Sequence, residues 1–207
     1  MNAVPLPLSG VSAIAGRFDL FILDQFGVLH NGSAPYPGVL RCLSQLKRNG
    51  KKIVILSNSG KRSKENEKRL ERLGFDTQLW NLFLSSGEAA WRSLASGSTR
   101  RTCFLISRDG DRSAVEGLPL QLVDDPAQAD LVLLAASEGD RFDLSHYERL
   151  LTGAARRGVP CLCTNPDTIM LTSSGPKFGA GRIAGMYESL GGAVTYFGKP
   201  FPAIYEA

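Results

Sequence analysis

Short apolar runs along this chain alternate with longer stretches in which apolar residues recur at helical spacing. That rhythm predicts alternating strands and amphipathic helices. The first half reads as a strand over 20–24, a loop over 32–38 in which Pro37 opens a helix over 38–49, and a strand over 52–56. Leu40, Leu43 and Leu46 fall on one face of that helix, and Asn49-Gly50 stops it. A helix over 63–73, a short strand over 82–85 and a helix over 87–94 follow. After a linker at Ser96-Gly97-Ser98-Thr99 the rhythm restarts by itself. Strands are predicted over 102–107, 120–123, 131–135 and 160–164, with helices near 111–115 and over 144–157. Thr172-Ser173-Ser174-Gly175-Pro176-Lys177 reads as a return linker. A helix over 182–190, a strand over 194–197 and a new helix from Pro200 are then expected to rejoin the first sheet. The pattern predicts an α/β fold with a parallel sheet and an inserted α/β module.

Composition narrows the picture. The 207 residues, 43% hydrophobic, allow one large domain or one domain with a sizeable insertion. Charged residues are 21% and no low-complexity tract occurs, which argues against disorder. The net charge of +4 owes much to the basic residues of 47–72, which fit a solvated helix surface. Nucleic-acid binding would need basic residues interleaved with stacking aromatics, and the aromatics here sit mostly inside apolar runs. The longest apolar run, 131–136, is far too short to cross a bilayer, and no segment resembles a secretory leader. A cytoplasmic protein without nucleic-acid or membrane partners is expected. Residues 1–12 read as a poorly ordered arm or a short docking segment. Cys42, Cys103, Cys161 and Cys163 form no CxxC pair and have no metal-spaced His. Cys161-Leu162-Cys163 reads as a strand sending its two thiols to opposite faces, against a shared zinc. Reduced, mostly buried thiols are expected.

The candidate chemistry lies at strand ends. The run Leu20-Phe21-Ile22-Leu23 ends in Asp24, and a tight turn at Gly27 follows. A buried parallel strand delivers such a carboxylate to the sheet edge where open α/β folds place their ligands. Ser57-Asn58-Ser59 follows the second strand, and Lys199 follows Val194-Thr195-Tyr196-Phe197-Gly198. An acid, a hydroxyl and a lysine at one edge fit phosphoryl transfer through an aspartyl phosphate. The carboxylate attacks phosphorus, the hydroxyl and backbone N–H groups hold phosphoryl oxygens, and the lysine neutralises developing charge. A Mg²⁺ ion bridging carboxylate and phosphate would lower their repulsion. Other signals are weaker. Arg108-Asp109-Gly110-Asp111 lacks the spacing and terminal Glu of a calcium loop, and 175–181 lacks the GK[ST] of a P-loop. Gly27 and Gly32 lack the spacing of a dinucleotide fingerprint.

Asp24-Gln25-Phe26-Gly27-Val28-Leu29, Leu56-Ser57-Asn58-Ser59 and Phe197-Gly198-Lys199-Pro200 resemble the first three motifs of the haloacid dehalogenase superfamily, class IIA. That branch contains the NagD-like and p-nitrophenyl phosphatase-like hydrolases. Thr164-Asn165-Pro166-Asp167-Thr168 is similar to its cap-to-core return segment, and Gly179-Ala180-Gly181 to the opening of the next helix. The resemblance implies a Rossmann-like core over 1–97 and 176–207, with a C2-type α/β cap inserted over 98–175. It implies Asp24 as nucleophile and magnesium ligand, Lys199 as the third-motif lysine, and Ser57, Asn58 and Ser59 as phosphoryl-binding residues. Asn165 and Asp167 would stand near the substrate entrance, where cap meets core. The implied substrate is a small phosphate monoester, the cofactor Mg²⁺, and the assembly a homodimer through the cap.

Two departures qualify the resemblance. Phe26 stands where the family has a second Asp, the group that protonates the leaving oxygen and activates water. Its backbone carbonyl can still ligate magnesium, but general acid–base help worth roughly 10²–10⁴-fold is lost. Slow turnover, a good leaving group or no hydrolysis is expected, and an inactive phosphometabolite-binding or scaffold protein is the alternative. His30 is a candidate substitute acid, set against the plainer reading of a turn residue near the surface. The chain also stops at Ala207, in the first turns of the last predicted helix. The C-terminal part of the core, with the acidic fourth motif, is expected to be missing, and magnesium to bind poorly.

Overall fold

A computed structural model describes residues 7–97, 101–172 and 174–207. Half of the expected N-terminal arm, residues 98–99 of the first linker and Ser173 of the second lie outside the described residues. The chain divides into two compact units: Met1–Leu56 with Glu67–Phe83, and Ser57–Asn66 with Leu84–Ala207.

The first unit is built on β1 (Leu20–Leu23), β2 (Lys52–Ser57) and β3 (Leu82–Ser85), in the order β1-β2-β3. β1 and β2 run parallel, with Leu23 opposite Ile55. A short α1 (Ser12–Ala15) precedes them; α2 (Val39–Arg48) and α3 (Ser63–Arg72) connect the strands. α2 buries Leu43 and Leu46 as its spacing predicts, and carries Lys47 and Arg48 in its last turn, where they complement the helix dipole. With Phe21, Ile53, Ile55, Leu70, Phe75 and Phe83 these leucines form the core. The sequence predicts β1 as a buried parallel strand. Of its residues only Phe21 is buried; Leu20 and Ile22, on the opposite face, are 48% and 54% exposed.

The second unit holds a five-stranded, wholly parallel sheet in the order β10-β7-β6-β4-β5. Its strands are β4 (Arg101–Ile106), β5 (Leu120–Leu122), β6 (Leu131–Leu134), β7 (Cys161–Cys163) and β10 (Val194–Tyr196). The helices are α4 (Ser86–Ala95), α5 (Leu144–Arg156) and α6 (Ala180–Ser189). β6 is buried at all four positions, as expected of a central parallel strand. The sheet packs Phe104, Val132, Leu134 and both Cys161 and Cys163 against Tyr147 and Leu151 of α5 and Ile183 and Tyr187 of α6.

Several expectations are corrected. β10 does not rejoin the first sheet; it pairs with β7. The reason is α6, whose buried Ala180, Ile183, Ala184 and Tyr187 belong to the same core as β7 and bring the next strand down beside it. The supposed return linker is largely a hairpin, β8 (Ile169–Thr172) with β9 (Gly175–Phe178), in which Thr172 faces Gly175. Residues 111–115 form turns, not a helix, flanked by left-handed Asp109 and Gly117. The last helix is a 3₁₀ turn, Pro202–Ile204. Cys161 and Cys163 share one face, because side chains alternate with a period of two; Leu162 between them packs in the other cluster. Burial pushes the Cys163 thiol up to about 12, and both thiols stay free. No helix among the described residues is long and apolar enough to cross a membrane.

Candidate functional site

Within the second unit, three segments distant in sequence meet. Ser57 ends β2 and is buried, and its hydroxyl accepts the Ser59 N–H at 3.1 Å. The loop is fastened to the start of α4: Ser86 Oγ donates to the Ser57 carbonyl at 3.1 Å, Gly87 N–H to the Ser59 carbonyl at 3.0 Å, and Ser85 Oγ to the Lys61 carbonyl at 2.7 Å. Ser85 also caps α4 by accepting the Glu88 N–H at 3.1 Å. Ser85-Ser86-Gly87-Glu88 carries the capping-box spacing, the sequence signal by which this anchor was findable. The Glu88 carboxylate turns instead to Arg62, at 2.6 Å.

Asn58 is the hub. Its Oδ1 accepts the Lys199 N–H at 2.7 Å, and its Nδ2 donates to the Lys199 carbonyl at 3.0 Å and to Asp167 Oδ1 at 2.8 Å. Both amide hydrogens are therefore committed within the protein, and any contact of Asn58 with a phosphoryl group falls to its backbone. Asn165 sets up Asp167 by accepting its N–H at 3.2 Å. Gly198 precedes Lys199 with φ of +121°, and a Cβ there would stand 2.5 Å from Ser86 Oγ and 2.8 Å from Asn58 Oδ1. Only glycine fits that approach. Of the expected residues, Ser57, Asn58, Ser59, Asn165, Asp167 and Lys199 all belong to this unit.

Asp24 and Phe26 belong to the first unit. Asp24 directly follows β1, is exposed, and its Oδ1 accepts the Gln25 N–H at 2.8 Å. Phe26 is 39% exposed and meets the His30 ring edge-on, with centroids 5.5 Å apart. His30 follows the turn at 27–29 as a bridge residue, paired with Phe26 and Pro35, and is buried rather than near the surface. Its Nδ1 accepts the Gly32 N–H at 2.9 Å, so the ring proton sits on Nε2. Burial foremost, then the charge of Arg69, lowers its pKa against the pull of Asp24.

Asp24 and the Phe26 carbonyl suit magnesium in kind, since both are hard oxygen donors. Magnesium takes one or two such protein ligands and completes its shell with water and substrate phosphate. Among the described residues no group of three or more His, Cys, Asp or Glu gathers to hold a metal ion.

The sequence pattern of the haloacid dehalogenase-like hydrolases matches residues 21–121. Human chronophin is 27% identical over 210 residues, covering 93% of this chain and 70% of chronophin. Among solved structures, a haloacid dehalogenase-like hydrolase from Brucella suis 1330 superposes with a TM-score of 0.86 at 26% identity, over 97% of this chain and 73% of that one. The p-nitrophenyl phosphatase of Archaeoglobus fulgidus superposes at 0.69 and 26% identity, over 91% and 71% of the two chains.

Proposed function

We propose that the chain is a haloacid dehalogenase-like hydrolase and, within that family, a phosphatase cleaving a small phosphate monoester through Asp24. The observation that carries this reading is the gathering of Asn58, Asp167 and Lys199 on one set of hydrogen bonds. It anchors the loop after β2 and the loop after β10 to each other, which a phosphoryl site built from both would require. The parallel register of β1 and β2 supports the nucleophile, because Asp24 follows Leu23, the partner of Ile55.

In the proposed reaction a carboxylate oxygen of Asp24 bonds to phosphorus as the ester oxygen departs. Water then attacks the aspartyl phosphate, releasing inorganic phosphate and restoring the carboxylate. Ser57 Oγ and backbone N–H groups after β2 hold phosphoryl oxygens, and the Lys199 ammonium offsets their charge. Phe26 offers the leaving oxygen no proton, so esters of acidic alcohols or phenols are the favoured substrates. Buried, reduced thiols support a cytoplasmic setting.

Phe26 also favours a second reading, a protein that binds a phosphorylated metabolite and turns it over poorly or not at all. The two separate in an assay with p-nitrophenyl phosphate, with and without magnesium chloride, on the chain and its Asp24→Asn variant. Activity lost in the variant is expected. Activity that persists there removes Asp24 as nucleophile, and no activity in either folded protein selects the binding reading.

A further inference from the structure

We infer that the β8–β9 hairpin and the first turn of α6 form a second anion subsite, in which Lys177 and Arg182 receive an acidic group other than the scissile phosphate. The substrate class is then a phosphate ester that carries a second acid. This rests on the phosphatase reading and deepens it.

An open cavity of about 410 Å³ lies there, lined by Thr168, Ile169, Pro176, Lys177, Phe178 and Arg182. It has apolar walls, two cations and no acid. Elsewhere in the same unit, Lys61, Arg62, Arg92, Arg108 and Arg141 each face a carboxylate. Among the described residues neither Lys177 nor Arg182 is in an ion pair. The two cations line one cavity with no acid among its other lining residues, which leaves both charges available to an incoming anion.

Arg182 stands at the third position of α6, the positive end of the helix, where an acid would be favoured. The first turn of α6 holds no acid, and its N-cap, Gly179, gives no side-chain cap. Ile169, beside the cations, is 64% exposed. An apolar wall, two cations and an uncapped helix start thus meet at one place.

The cavity also adjoins the candidate phosphoryl site. Gly179 N–H donates to the Thr168 carbonyl at 2.8 Å and Gly181 N–H to the Asp167 carbonyl at 3.0 Å. Asp167 in turn accepts from Asn58 Nδ2 at 2.8 Å. Thr168 therefore lines the cavity while its neighbour belongs to the hydrogen-bonded set around Lys199.

The test is calorimetric binding, in magnesium-containing buffer, of inorganic phosphate, ethyl phosphate and phosphoglycolate to the chain and to its Lys177→Met/Arg182→Met variant. Phosphoglycolate should bind at least about tenfold tighter than ethyl phosphate to the chain, and the two about equally to the variant. Inorganic phosphate should bind both proteins alike. Equal binding of the two esters to the unaltered chain, or a preference kept in the variant, overturns the subsite. The exposed single change Arg182→Glu serves if the double variant fails to fold, and should turn the preference against phosphoglycolate. Inorganic phosphate judges the phosphatase reading separately. If it does not bind, the phosphoryl site falls, and glycolate alone then decides the subsite. Backbone amide shifts at Phe178 and Arg182 that vanish in Arg182→Glu uphold it, and no shifts overturn it.

Discussion

Asn58 and Lys199, 141 positions apart, are joined twice: the Lys199 N–H reaches Asn58 Oδ1 at 2.7 Å and Asn58 Nδ2 reaches the Lys199 carbonyl at 3.0 Å. A third bond, to Asp167 at 2.8 Å, uses the remaining amide hydrogen. The side chain thus works as a clamp on the protein's own loops.

Asn58→Ala removes all three bonds. It should destabilise the chain by about 1–3 kcal/mol, read from urea unfolding. Asn58→Asp keeps an acceptor for the Lys199 N–H but loses both donors and sets a second carboxylate against Asp167. It should be at least as damaging. A loss below about 0.5 kcal/mol in both variants, within the range of an ordinary surface change, would count against the clamp.

Phe26→Asp tests the missing acid. The ring is 39% exposed and contacts His30 edge-on, so its removal should leave the fold intact. If Asp24 is the nucleophile, hydrolysis of esters with poor leaving groups should rise by about 10²-fold or more. p-Nitrophenyl phosphate, whose phenolate leaves readily, should gain less. Equal gains, or none, in steady-state rates would show that the site differs by more than one residue.

Glu88 links stability to pH. Burial works to raise its pKa, but the hydrogen bonds and charge of Arg62, the Ser63 N–H and the charge of Arg92 together hold it below the usual carboxylate value. A carboxyl depressed in the folded state stabilises it above the unfolded pKa, and that stability is lost as pH falls through the folded value. Unfolding free energy should therefore drop through the acid range. Glu88→Gln should be less stable at neutral pH and show a shallower acid dependence in pH-resolved denaturation.

The cysteines should separate by reactivity. Cys103, Cys161 and Cys163 are buried, and burial raises the pKa of each, to about 12 for Cys103 and Cys163. Cys42 is only half-buried. A disulfide reagent should label Cys42 in the native chain and the other three only after denaturant is added, since the thiolate is the reactive form. Rapid native labelling of Cys161 or Cys163 would contradict the packing of β7.

Much of the local structure was legible from spacing alone. α2 appears where Leu43 and Leu46 recur on one face, and β6 where an apolar run has no polar interruption. Patterns of this kind follow from backbone geometry and need no knowledge of partners. The misreadings share a cause. Thr172 to Lys177 has linker composition, yet Pro176 and Lys177 pair with Leu171 and Met170 in a hairpin, which composition does not reveal. β10 looks like a strand in sequence, but which sheet it joins was set by α6 packing against β7.

The candidate site divides in the same way. Residue chemistry alone picked out Asp24, Ser57 and Lys199, since an acid, a hydroxyl and a lysine at strand ends suit few reactions. Sequence also marked Phe26, because a missing proton donor is visible as a residue type. Only the tertiary structure turned Asn58 from a ligand candidate into a clamp, buried His30, and put Lys177 and Arg182 on one cavity. Where periodicity is clear, as in α2 and β6, element type is decided by neighbours along the chain. A side chain's role is decided by which atoms fill its few hydrogen-bonding and charge-pairing positions, and those come from segments that sequence spacing does not relate.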